Sequence, residues 1–307
     1  MSDEPELPHG LALAWGIAAN PQRGPKREMS VERIVETAIE IADEGGLSAV
    51  SMASVAGRLG FTPMSLYRYV SAKDDLVLLM VEQANGVPPE TIAEAEGWRA
   101  GLAAFAAANL EMFAAHPWVL DVPIEGTPVT PNSLAWLDAA LATLRATPLD
   151  YEEKVSVTLA VMAQARFEGI ITRGYRAAAE AAGGTVDDLD ARADELLARL
   201  ITPEAYPEVH PALLAGVFGP GVENPFAFGL ERVLDGVEAY VAARPAGPVE
   251  RSEPAASAAV DEAVERDPKV REARKARREV EKALRDARKR EREARRAARE
   301  RLGGAAS

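Results

Sequence analysis

Residues 51–73, SMASVAGRLGFTPMSLYRYVSAK, constrain what this chain can fold into more than any other stretch. They read as two short helices about a glycine turn. In the first, Ser51 caps the amino end, and Met52, Val55, Ala56 and Leu59 recur at i, i+3, i+4 and i+7, which makes one buried stripe. Gly60 ends it. Thr62 and Pro63 supply an N-cap and a first-turn proline for the second helix, with Leu66 and Val70 inward and Ser65 and Arg68 outward. Ser71, with Asp74 three residues on, is placed to start the helix after that. A glycine exit followed at once by a restart lets the second helix cross the first steeply, which is the layout of a helix-turn-helix that reads DNA.

A docked second helix exposes its amino-terminal residues to base edges. Arg68 suits a bidentate contact to guanine, worth roughly 1–3 kcal/mol of discrimination against a wrong base. Met64 and Ser65 suit base edges or thymine methyls. Ser51, Thr62, Tyr67, Tyr69 and Lys73 offer hydroxyls, a cation and helix-start amides suited to phosphate oxygens, contacts that position rather than specify. The arm RGPKR ahead of the first helix adds Arg23, Lys26 and Arg27, suited to the backbone or the minor groove. Packing of a small domain fits the two tyrosines, and a solvated linker fits the arm.

Punctuation divides the rest into a leader, 1–29, with a short apolar segment Leu11–Ala19; a DNA-binding domain, 30–84; a helical body, 91–245; and a linker and charged tail, 246–307. Ser30 caps a helix to about Glu44, with Ile34, Ala38, Ile41 and Ala42 inward, which the pair Gly45-Gly46 stops. A helix from Lys73 to Gln83 runs into the break NGVPPE. Later segments have helical period over Gly97–Ala115, Asn132–Thr147, Leu149–Ala182, Asp187–Ile201 and Pro225–Ala243. Alanine is abundant and no alternating β-branched run occurs, so the expected fold is all-α: a three-helix DNA-binding domain followed by a larger helical domain.

On Ile34, Ala38, Ala42, Gly46 and Leu47, then Met52, Val55, Ala56, Leu59, Gly60, Leu66, Tyr67, Tyr69 and Lys73, the sequence resembles the TetR family of bacterial transcriptional regulators. The strings HPWVLDVPIEGTPVTPNSLAWLDAAL and FAFGLERVLDGVEAYV resemble the regulatory half of an actinobacterial subgroup and extend the likeness from about Gly10 to Ala243. Arg68 departs from the family's more usual aromatic or polar residue, so no operator sequence carries over. The resemblance implies a homodimer on a double-stranded DNA operator, with the long third body helix and the last body helix paired with their copies. Val155, Leu159 and Met162 on one, and Phe226, Leu230, Val233, Leu234 and Val237 on the other, fit that face. An intrachain bundle core fits the same residues. The resemblance also implies a small-molecule effector in the body, where Phe105, Met112, Phe113, Trp118, Trp136, Phe167 and Tyr175 suit a pocket wall and Arg166, with Glu111 and Glu168, suits its orientation. Repression of a neighbouring gene is the implied outcome. Activation, or a ligand-free nucleoid-type dimer, also fits.

Composition excludes other classes. With 307 residues and 48% apolar content the chain can bury more core than one small domain needs. It has no cysteine, so no disulfide or thiolate chemistry, and His9, His116 and His210 lie too far apart for a metal site. No cofactor is expected. The acidic first ten residues lack the basic start of a signal peptide, and no run of about 18 apolar residues exists to span a membrane, so a cytoplasmic protein with no membrane partner is expected. No G-x-S-x-G, P-loop or H-E-x-x-H occurs, which argues against an enzyme.

Charge is unevenly spread. Residues 1–265 hold 18 Lys and Arg against 40 Asp and Glu, whereas 266–307 hold 17 against 8. A body this acidic repels DNA overall, so binding must rely on local cations and geometry. From Asp261 to Leu302 nearly every residue is Ala, Arg, Lys or Glu, with a thin stripe of Val280, Leu284, Ala287, Ala294 and Ala298. A solvated helix or charged extension, sequence-independent DNA contact and a weak coiled coil all fit that composition.

Overall fold

The computed structural model describes residues 7–17, 29–124, 126, 129–217 and 225–244 and, in the tail, 267–277, 279, 280, 283, 287, 290 and 301. Among these residues the regular structure is helical, with no strand. Residues 1–249 form one compact unit and residues 250–307 a second.

The amino-terminal part comprises α1 (His9–Ala14), α2 (Val31–Gly45), a 3₁₀ turn (Leu47–Ala49), α3 (Met52–Leu59), α4 (Pro63–Leu66) and α5 (Lys73–Asn85). Ser30 caps α2 by accepting the Arg33 amide at 3.2 Å. One face of α2 meets α3 and α5, α4 packs on α3, and their common core gathers Ile34, Val55, Leu66, Val70, Leu76 and Met80, all sealed from solvent. Each such side chain contributes about 1.5–3 kcal/mol by leaving water.

The body follows as α6 (Glu90–Ala93), α7 (Gly97–Ala115), a 3₁₀ turn (Pro117–Asp121), α8 (Pro131–Thr143), α9 (Tyr151–Ala181), α10 (Val186–Leu200), α11 (Val209–Leu214) and α12 (Pro225–Ala242). Its core joins Ile92, Leu102, Phe105, Leu144, Leu149, Val161 and Leu234, from four helices and the connection between α8 and α9. Asp150 and Glu153 start α9 by a reciprocal cap, each carboxylate accepting the other's amide at 2.9 Å, so the helix begins two residues later than its apolar pattern suggests. Helix α8 ends four residues earlier than expected, where Leu144, Arg145 and Thr147 turn back on the preceding carbonyls. Helix α11 was hidden by prolines. Pro211 is tolerated there because it is the third residue of the helix, where no intrahelical partner awaits its missing amide.

Helix α1 binds two parts of the unit together. The Gly10 amide donates to Asp75 Oδ1 at the start of α5 at 3.2 Å, and the Trp15 indole donates to the Val129 carbonyl ahead of α8 at 2.8 Å. A Cβ on Gly10 would lie 2.5 Å from that Asp75 oxygen and 3.1 Å from Asp75 Cα, so only glycine permits this approach. In the tail, 268–277 is helical, and the Asp267 carboxylate accepts the Lys269 amide at 2.8 Å.

Candidate nucleic-acid interface and its coupling to the body

The turn between α3 and α4 is built from its caps. Ser51 accepts the Ser54 amide at 3.0 Å, and Ser54 returns the bond to the Ser51 amide at 2.9 Å. Gly60 sits at φ 77°, a left-handed conformation that side chains resist, and from there the Phe61 amide closes on the Ala56 carbonyl at 2.9 Å. Thr62 holds the N-cap position of α4, yet its hydroxyl shares a 3.0 Å bond with Ser65 and does not cap an amide. Ser71 does not start α5. The N-cap is Ala72, one residue later, and no side-chain hydrogen bond covers that start.

Regular α-helix in the second segment is shorter than its spacing suggests. After Pro63–Leu66 the chain passes through a tighter turn in which the Tyr69 and Val70 amides both close on the Leu66 carbonyl. Leu66 and Val70 are wholly buried. Met64, 75% exposed, then projects outward with Thr62, Tyr67 and Arg68, while Ser65 and Tyr69 are half-buried and Tyr69 packs on the core. Lys73 is exposed at the next helix start. Arg23, Lys26 and Arg27 lie outside the described residues. Arg58, for which the sequence offers no signal, pairs with Glu44 at 2.7 Å; each holds the other's charged form, and the pair joins α3 to α2 at an exposed position where such bonds contribute little.

A seam connects this unit to the body. Asp43, near the end of α2, accepts the Trp118 indole N–H at 2.8 Å and lies 2.9 Å from His116 Nδ1. Trp118 is only 2% exposed, and Phe113, Val119 and Leu120 complete the same core as α2 to α5. From the other side, Arg166 of α9 donates to the Leu120 and Val122 carbonyls at 2.8 and 3.0 Å, and Arg173 donates to the Pro117 carbonyl at 2.9 Å and to Asp121 at 2.8 Å. Burial holds the Arg166 guanidinium below the ordinary arginine range. The far end of α5 is fixed as well: Glu82 accepts the Asn132 amide at 2.8 Å, and the Trp136 indole donates to the Asn85 and Gly86 carbonyls.

The residues considered for an effector wall therefore fall in three places. Phe113 and Trp118 belong to the seam, with Met112 packed beside them. Phe105 and Trp136 meet edge-on at 5.9 Å in the body core. Phe167 meets Phe226 edge-on at 5.7 Å on the outer side of α9, where it and Tyr175 are about half exposed. Glu111 is exposed and Glu168 half-buried.

Of the residues considered for a dimer face, Leu234 is fully buried within the chain and so is not available to a second copy. Its neighbours face two ways. Met162, Leu230, Val233 and Val237 pack against the body core while remaining half exposed; Val155 and Phe226 are also half exposed, and Leu159 is 51% exposed. Between α9 and α12 a groove of about 690 Å³ is lined by Val157, Val233, Val237, Tyr240 and Glu153. Arg244 reaches across its end to Glu153 and to the Pro148 carbonyl at 3.0 Å. Arg99 of α7 binds Glu231, Asp235 and Glu238 of α12, a cluster legible afterwards in the four-and-three spacing of those acids. Among the described residues no helix is long and apolar enough to cross a membrane, and no group of acids and histidines is placed to hold a metal.

Comparison with known proteins matches both halves. The family described as bacterial regulatory proteins, tetR family, covers residues 34–80, and that described as tetracyclin repressor-like, C-terminal domain, covers residues 91–241. The chain is 35% identical over 243 residues to the HTH-type transcriptional repressor DrrR1 of Streptomyces coeruleorubidus, covering 78% of this chain and 88% of that protein. It is 26% identical over 226 residues to the HTH-type transcriptional repressor Rv1353c of Mycobacterium tuberculosis, covering 70% of this chain and 82% of the other. In fold it is similar to ActR of Streptomyces coelicolor in complex with actinorhodin, with a TM-score of 0.59 at 22% identity over 69% of this chain and 97% of that one.

Proposed function

This chain belongs to the TetR family of helix-turn-helix transcriptional regulators, and from that premise we propose that it is a homodimeric repressor released from its operator by a small apolar effector. It would act in the cytoplasm. The observation that carries the reading is the division of residues 62–70: Leu66 and Val70 lock the segment into the core, which leaves Met64, Tyr67 and Arg68 directed away from it. Arg68 is the proposed base reader; Tyr67, Thr62 and Lys73 are proposed to hold phosphates. Two copies are needed because half-sites about one helical turn apart bind together. The exposed apolar groups along α9 and α12 support pairing through those helices.

Release requires a body with two arrangements that the effector distinguishes. The seam at Asp43 makes the body's state felt by α2, and Arg166 and Arg173 make the turn at 117–121 responsive to α9. To move operator occupancy from about 99% to 1%, the effector must prefer the released arrangement by about 10⁴-fold. The name of the DrrR1 relative supports repression. The test is binding to the DNA upstream of the chain's own gene against a scrambled duplex at about 150 mM salt, with a reporter on that promoter. Specific binding and a reporter that rises on deletion of the gene are expected. Equal binding to both duplexes would overturn operator reading, and a reporter that falls would make the protein an activator.

A further inference from the structure

Helix α1 cannot stand alone. It has six residues, and isolated helices below about 12–15 residues are marginal in water, so it persists only while docked. Its stop is its own: the Gly16 and Ile17 amides close on the Leu13 and Ala12 carbonyls at 3.0 and 2.8 Å. Its start is not. Pro8 offers no side-chain cap, and the Gly10 amide, which has no partner inside so short a helix, is met by Asp75 of α5. Leu13 and Ala14 pack on the amino-terminal core, and Trp15, at the C-cap, donates its indole N–H to the Val129 carbonyl.

The two ends of α1 therefore rest on different parts of the chain. Asp75 lies in the first turn of α5, whose start has no side-chain cap of its own and carries Lys73, a proposed phosphate contact. Val129 lies two residues ahead of α8, on the connection that follows the 117–121 turn, which Arg166 and Arg173 hold from α9. Taking the chain as an effector-released regulator, a reading on which this inference rests, we propose that α1 is a strap that carries the state of the body to the start of α5. Docked, it keeps that start in place for the DNA backbone; a body that draws Val129 from Trp15 releases α1 and loosens the start of α5 with it. An element that is either docked or free, and that both sites bias, is what coupling between them requires. The seam at Asp43 acts on α2, whereas the strap acts on α5 from outside both segments that match the family, residues 34–80 and 91–241.

Two charge-neutral variants of the full chain separate a strap from two independent anchors. Trp15→Phe removes the N–H that reaches Val129, at a position 47% exposed, and so leaves the core in place. Gly10→Ala pushes α1 from Asp75. Amide exchange is followed first, with no DNA present. A strap predicts reciprocal effects: Trp15→Phe should accelerate exchange in the first turns of α5, Gly10→Ala should accelerate it at the start of α8, and the double variant should add little to either. Acceleration confined to the cut end, or additive effects, would overturn the strap. Duplex binding follows at about 150 mM salt. Trp15→Phe should lose at least about fivefold in affinity for both the chain's own upstream DNA and a scrambled duplex, with their ratio unchanged, because a loosened α5 start weakens phosphate contacts. Coupled exchange with unchanged duplex affinity would mean that α1 stiffens the fold and carries nothing to DNA, which overturns the proposal. Failure of operator reading is separate: wild type then binds both duplexes equally, while the exchange effects and the loss in Trp15→Phe remain.

Discussion

At the residue scale, Asp43 holds the seam, because one carboxylate serves both Trp118 and His116. Asp43→Ala strands a buried indole N–H and should cost about 1–3 kcal/mol in urea unfolding. Asp43→Asn, which keeps an acceptor, should recover most of that stability; equal losses would mean that the carboxylate charge matters more than the bond. Glu153 gives a pH test. The Tyr240 hydroxyl, then the Asp150 amide and the Arg244 guanidinium, hold its carboxyl below the ordinary value of 4.5 against the opposing effect of burial. A depressed carboxylate contributes stability that is complete above that value and is lost as pH falls through the lower, folded-state one. The urea midpoints of wild type and Glu153→Gln should therefore differ at neutral pH and converge in acid, and a gap that persists in acid would contradict this. Apart from the local cap between Asp150 and Glu153, neither residue stands out in the sequence, since the bonds to Trp118 and His116 and to Tyr240 and Arg244 join positions more than seventy residues apart.

Elements were more legible than their connections. The 3.6-residue period placed α2, α3, α5, α7, α9 and α12, because each buries a stripe against a neighbour. It missed the start of α9, where the cap at Asp150 rules, and it missed α11 altogether, where Pro211 sits inside the helix. It also overextended the regular helix after Pro63, where burying both Leu66 and Val70 tightens the turn. Helix α1 is the element whose role the sequence concealed, since a leader segment with a few apolar residues gives no hint of a bond to Asp75 or to Val129. Gly10→Ala should push α1 from α5, because its new Cβ meets Asp75 backbone as well as side chain. Amide exchange in the first turns of α5 should then accelerate; unchanged protection would show that α5 is fixed without α1.

For the whole molecule, the expected all-α fold and its helix-turn-helix were readable because turn chemistry, caps and apolar spacing agree there. The effector wall was not, because an aromatic residue on a helix has the same spacing whether it lines a pocket, lies on an outer face, as Phe167 does, or joins two parts of the chain, as Trp118 does. The proposed pairing through α9 and α12 has its own test. Leu159→Glu with Phe228→Glu places charges where the chain now exposes 51% and 66% of these apolar residues. The double variant should sediment as a folded monomer and lose more than about tenfold in operator affinity, since half-sites then bind singly. A dimer that survives would place the interface elsewhere. Operator reading by residues 62–70 is tested most directly by the ratio of operator to scrambled binding for Arg68→Ala and wild type at about 150 mM salt. The account predicts that wild type prefers the operator and that the variant loses about 1–3 kcal/mol of that preference with its fold intact; a folded variant with the wild-type ratio would contradict it.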